Sequence, residues 1–84
     1  VDVRTVAEYS EGHIPGSINI NVLDEKFSAN ADELLNPSQP VAVYCKSGRR
    51  SRNAAKVLVK KGFKVYNLDK GFEGWKELGK EIEQ

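Results

Sequence analysis

Short apolar clusters alternate with helical patterns along this chain, and Gly or Pro marks most of the junctions. Val1-Asp2-Val3-Arg4 reads as the end of a short buried strand. Thr5-Val6-Ala7-Glu8 fits a capping box, with Thr5 as N-cap and Glu8 reaching back. A short helix should follow and stop before Gly12. His13-Ile14-Pro15-Gly16 is turn chemistry, and His13 is taken as a turn residue. Ser17-Ile18-Asn19-Ile20 predicts a second short strand with Ile18 and Ile20 on one side. Residues 24–35 predict a helix, with Phe27, Ala31, Leu34 and Leu35 at helical spacing, ended by Asn36-Pro37-Ser38. Val41-Ala42-Val43-Tyr44 is a continuous apolar run, the pattern of a central parallel strand covered on both faces. Residues 51–61 predict a helix with Ala54, Val57 and Leu58 on one face and Gly62 at the C′ position. Val65-Tyr66-Asn67-Leu68 is the last strand. Residues 72–83 predict a final helix whose stripe of Phe72, Trp75, Leu78 and Ile82 is assigned to the core.

Strands alternating with helices imply an α/β domain. A small, mostly parallel sheet of about four to five strands is expected, with helices on both faces and an abbreviated N-terminal strand. The whole of residues 1–84 is expected to form one domain, since the length suits no more than one. In such sheets ligands sit beyond the carboxyl ends of the strands, which directs attention to the loop leaving Tyr44.

Composition narrows the choices. Leu, Ile, Val and Phe supply 22 residues, about a quarter of the chain, enough for a thin core. No run of apolar residues is long enough for a membrane span, and no apolar leader opens the chain, so no membrane partner is expected. A cytoplasmic location is expected, with a mature periplasmic form as the alternative, and a monomer is the default. The single cysteine, Cys45, allows no internal disulfide and no Cys-based zinc site, and His13 is the only histidine. Neither a cofactor nor a metal is expected.

The net charge of +1 hides an asymmetry. Residues 46–64 hold 8 basic and no acidic side chains, while the rest of the chain sums to −7. The positive zone begins directly after Cys45, so a small anionic partner is expected. No aromatic residues interleave the basic run, which argues against nucleic acid.

That zone opens with Cys45-Lys46-Ser47-Gly48-Arg49-Arg50-Ser51, running from a strand end into a helix start. A helix N-terminus presents unpaired N–H groups and about half a positive charge. Gly48 and Ser47 let the backbone curl so that successive amides face one point. Lys46, Arg49 and Arg50 add full charges. A thiol placed there has its pKa lowered from about 8.5, which makes the thiolate available as nucleophile. The competing reading is a small buried hydrophobe, as lone cysteines often are. Spacing separates two chemistries. A His-Cys-x5-Arg loop, wide enough for phosphate, would need an arginine at position 51, which is Ser51, and Tyr44 precedes the cysteine. The Cys-x4-Arg loop ending at Arg50 is one residue shorter and suits a single sulfur atom carried as a persulfide.

Several motifs together resemble the single-domain rhodanese, or thiosulfate sulfurtransferase-like, family. They are Asp2-Val3-Arg4, Glu8-Tyr9, Gly12-His13-Ile14-Pro15-Gly16-Ser17-Ile18-Asn19, the loop from Cys45 to Ser51, Leu58-Gly62-Phe63, and Leu68, Gly71 and Trp75. The resemblance implies a persulfide cycle. Cys45 takes the outer sulfur of thiosulfate, releases sulfite, and passes the sulfur to cyanide, a thiol or another protein. It implies Cys45 as nucleophile and the amides from Lys46 to Arg50 as cradle. Arg50 then orders the loop, Lys46 and Arg49 tune anion affinity from the rim, and Asp2 and Arg4 are structural. Two alternatives stay open at this point, a sulfur carrier serving a partner protein and an arsenate- or phosphate-handling enzyme. Two departures matter: the family's first helix and most of its first strand lie upstream of Asp2, so the sheet edge is expected to be abbreviated, and Lys70 stands where the family has the first of two glycines, a question of strain if that position needs a positive φ.

Overall fold

The computed structural model describes all 84 residues. In chain order the elements are α1 (Val6–Glu11), α2 (Phe27–Leu34), β1 (Val41–Val43), α3 (Arg49–Lys60), β2 (Val65–Asn67) and α4 (Gly71–Glu77). β1 and β2 pair in parallel, with Val41 opposite Val65 and Val43 opposite Asn67. Two further extended segments continue the parallel arrangement through single bridges, Asp2 with Tyr44 and Asp2 with Asn19. Their backbone bonds, Val3 N–H to Tyr44 O (2.9 Å) and Ile20 N–H to Asp2 O (2.9 Å), give four adjacent segments. The α/β class and small parallel sheet are as expected, but only two segments are regular strands.

The core joins the sheet to α2 and α3. It contains Val3, Ile20, Val41 and Val43 from the extended segments, Phe27 and Ala31 from α2, Ala54 and Leu58 from α3, and Cys45 and Phe63 from loops. Burying each such side chain contributes about 1.5–3 kcal/mol against the entropy of ordering it. Tyr44 alternates to the opposite face, where its ring centroid lies 6.4 Å from that of Phe72 in α4.

Four expectations need correction. Ala42 is exposed, so β1 is not covered on both faces along its length. Ile20 is 3% exposed and Ile18 42%: the segment bridges its neighbour at Asn19 alone, and of the two only Ile20 joins the core cluster. The second helix begins at Phe27 because Asp24 Oδ1 accepts the Lys26 N–H, a local Asx turn that competes with helix. Its Leu34 is exposed, and Leu35, just past the helix, packs on the core. The last helix ends at Glu77, since Gly79 takes φ +70°. The chain then reverses, and Glu83 exchanges two backbone bonds with His13 (2.8 and 2.9 Å). Of the expected core stripe only Phe72 is buried, while Leu78 is 73% exposed.

Candidate active site

The loop from Cys45 to Ser51 joins the end of the central segment to α3. Gly48 is the N-cap residue of α3 at φ +103°, a left-handed conformation natural to glycine. This turn folds the loop back on the cysteine. Gly48 N–H donates to Cys45 Sγ at 3.1 Å, and Ser51 Oγ lies 3.6 Å from the sulfur. Ser51 Oγ also donates to Gly48 O at 3.1 Å, so the hydroxyl has to turn toward the sulfur when the thiol loses its proton. Cys45 is 1% exposed. Burial alone pushes its thiol up, but the Ser51 hydroxyl and the amides of Ser51, Gly48 and Ser47 outweigh it, and the net shift is below the ordinary thiol value. The buried-hydrophobe reading is therefore half right: the residue is buried, but the sulfur faces hydrogen-bond donors.

The three cations of the loop are disposed differently from one another. Lys46 is exposed, with Nζ 3.9 Å from Glu73. Arg49 is exposed. Arg50 turns to Glu8 of α1, with Nη1 and Nη2 donating to its two carboxylate oxygens at 2.6 and 2.8 Å. Sulfur stabilisation therefore falls to dipoles, Ser47, Gly48 and Ser51, with the charged side chains around the rim.

A second loop supports the first. Phe72 N–H donates to Cys45 O (2.8 Å), and Glu73 N–H to Lys46 O (3.0 Å). These bonds require a close approach. A Cβ on Gly71 would stand 2.4 Å from Cys45 O, and one on Gly48 2.1 Å from Asp69 O. Gly71, at φ +57°, is the left-handed residue of this turn, whereas Lys70 sits at φ −89° without strain. The departure at Lys70 is thereby accounted for.

Beneath the site, Asp2 and Arg4 form a buried ion pair. Arg4 Nε donates to both Asp2 oxygens at 3.0 Å, and Nη2 donates to Asp2 Oδ2 (2.6 Å) and to Gly12 O (2.7 Å). The guanidinium carbon lies 4.3 Å from the Phe72 ring centroid. A cleft of about 490 Å³ opens beside the loop, with Arg4, Glu8, Lys46, Phe72, Glu73 and Lys76 among its walls. His13 is buried away from the sulfur's donors, stacked on Tyr9 at 3.7 Å with Nδ1 2.8 Å from Tyr9 O. It is a structural residue, though more than a turn. No three His, Cys, Asp or Glu side chains cluster as metal ligands.

Sequence reasoning missed two contributors. Glu8 was read as a helix cap and as part of a family motif, and its pairing with Arg50 has no local signal. Gly71 was noted, but the carbonyls it accommodates, those of Cys45 and Lys46, belong to a distant part of the chain.

Residues 1–78 match the rhodanese-like domain. The chain is 40% identical over 77 residues to the thiosulfate sulfurtransferase GlpE of Coxiella burnetii, covering 89% of this chain and 68% of that protein. It is 41% identical over 80 residues to GlpE of Pseudomonas fluorescens, covering 90% and 68%. YrkF of Bacillus subtilis, whose name proposes a sulfur carrier, is 40% identical over 76 residues, and the chain spans 40% of its length. Among solved structures, the rhodanese-like domain of Alr3790 from Anabaena sp. superposes with a TM-score of 0.88 at 30% identity, covering 99% of this chain and 83% of that one.

Proposed function

Because the chain belongs to the rhodanese-like domain family, we propose that it is a sulfurtransferase working through a persulfide on Cys45. The Cys45 thiolate attacks the outer sulfur of a thiosulfate-like donor. A new S–S bond forms, the donor's S–S bond breaks, and sulfite departs with the electron pair. An acceptor nucleophile, cyanide or a thiolate, then attacks the outer sulfur and releases the Cys45 thiolate. Electrons balance across the two steps, so no external oxidant or reductant is needed.

The observation that carries this reading is the position of Cys45 Sγ, buried and 3.1 Å from the Gly48 amide, with the Ser51 hydroxyl beside it. Donors fixed before the reaction stabilise the anionic sulfur without reorganising. The donor anion meets the basic rim of Lys46 and Arg49, and the six-residue span from Cys45 to Arg50 suits one sulfur atom. Incubation with thiosulfate should add one sulfur atom to the intact mass, and Cys45→Ser should take up none. Sulfur loading by the Ser variant would refute the assignment.

A second reading is a sulfur carrier whose donor and acceptor are proteins. The near-complete burial of Cys45 favours it, as does the similarity to YrkF. It predicts a persulfide but feeble turnover with thiosulfate and cyanide alone. Rapid turnover of that pair would eliminate it.

A further inference from the structure

Glu8 has two sets of partners on different elements. Its Oε1 accepts the Thr5 N–H (3.1 Å) and the Thr5 hydroxyl (3.0 Å), which closes the capping box of α1. The same carboxylate receives both terminal nitrogens of Arg50, at 2.6 and 2.8 Å. Arg50 lies two residues after Gly48 and one before Ser51, the residues whose amides and hydroxyl face Cys45 Sγ. The planar guanidinium takes this carboxylate in one geometry only, so the pair fixes direction as well as distance. It also leaves both of those nitrogens committed to Glu8 and not to a substrate. The two side chains are 25% and 29% exposed, and the carboxylate is pulled down to about 2, chiefly by Arg50, with burial opposing and Thr5 assisting.

We propose that Glu8 is a positioning residue for sulfur transfer: by clamping Arg50 it holds the first turn of α3, and with it the ring of donors around Cys45. This rests on the sulfurtransferase reading. The loop needs such a restraint. The bonds from Phe72 and Glu73 hold only its first two residues, Cys45 and Lys46; beyond them the path turns on left-handed Gly48, and the exposed Ser47 contributes no packing. Hydrogen bonds weaken steeply with misalignment, and an error of about 1 Å at a reacting centre can cost about a hundredfold in rate. The clamp also keeps the Arg50 charge neutralised, so stabilisation of the thiolate depends on the geometry of the amides.

The test compares Glu8→Gln with Thr5→Ala, because Thr5 bonds the Glu8 carboxylate without touching Arg50, so its loss weakens the cap and leaves both Arg50 bonds in place. Two readouts are taken: the pH midpoint of Cys45 alkylation by iodoacetamide, and the single-turnover rate of sulfur loading from thiosulfate. Glu8→Gln should move the midpoint up toward the free-thiol value of about 8.5 and slow loading about tenfold or more. Thr5→Ala should lose stability yet keep the midpoint and hold loading within about twofold, a change too small to reflect a displaced donor ring. An unchanged or lowered midpoint in Glu8→Gln overturns the proposal, and so does an equal shift in Thr5→Ala. If Glu8→Gln fails to fold, Arg50→Lys, which keeps the charge but loses the fork, should give the same upward shift. If the wild-type protein takes up no sulfur, the sulfurtransferase reading falls, while the midpoint comparison still decides the role of Glu8.

Discussion

Replacing Asp2 by Asn removes one charge from the most enclosed ion pair of the molecule while keeping its shape. Asp2 is fully buried and Arg4 is 4% exposed. Asn keeps an oxygen for the Arg4 backbone N–H, which Asp2 Oδ1 accepts at 2.9 Å. What is lost is the counter-ion in direct contact with the guanidinium, which retains Gly12 O and the Phe72 and Tyr44 rings but no carboxylate within bonding distance. Removing one partner of a buried pair costs about 3–5 kcal/mol, because the remaining charge stays desolvated. A chain of this size is stable by about 4–13 kcal/mol. The substitution therefore removes a large part of the margin. In urea, with m of about 1 kcal/mol per M, the unfolding midpoint should drop by about 3–5 M, or the variant should be unfolded without denaturant. Adding Arg4→Met should recover part of the loss, since no unpaired charge then remains. A loss below about 1 kcal/mol in Asp2→Asn at unchanged m would refute this account of the pair.

Gly71→Ala should cost about 1–2 kcal/mol for its left-handed φ, plus a displacement of the Cys45 and Lys46 carbonyls, and should slow sulfur loading. Gly62→Ala is the comparison: φ is +95° but no atom lies within 4 Å of the added Cβ, so it should destabilise without altering loading. The folded-state pKa of Cys45 is depressed. Its contribution to stability is therefore present above the unfolded value of about 8.5 and is lost as pH falls through the folded value. Denaturation across that window should show stability rising with pH in the wild type and a shallower rise in Cys45→Ser. Glu8, pulled down to about 2, stabilises fully above about 4.5 and loses this on acidification. After allowance for solvent screening the effect is about 1–2 kcal/mol, so the stability gap between wild type and Glu8→Gln should narrow from pH 5 to pH 3.

Much of the site was legible because its signals are local. The box of Thr5 and Glu8 forms as read, since its bonds span three residues. α3 carries Ala54 and Leu58 into the core and ends before Gly62 at φ +95°, as its spacing and its C′ glycine indicate. The loop type followed from a cysteine, a glycine and a run of cations at a strand-to-helix junction, and backbone geometry there curls the donors toward the sulfur.

Tertiary structure alone decided the rest. Glu8 and Arg50 are 42 residues apart, and nothing in either neighbourhood names the other as partner. Periodicity could not choose between Leu34 and Leu35 or between Ile18 and Ile20, because one side chain of each pair meets the core only where a neighbouring segment happens to pass. The stripe from Phe72 to Ile82 reads as one helix until Gly79 breaks it and Glu83 pairs with His13. Propensity acts over about four residues, whereas closure of distant segments depends on which surfaces the whole chain can bury together.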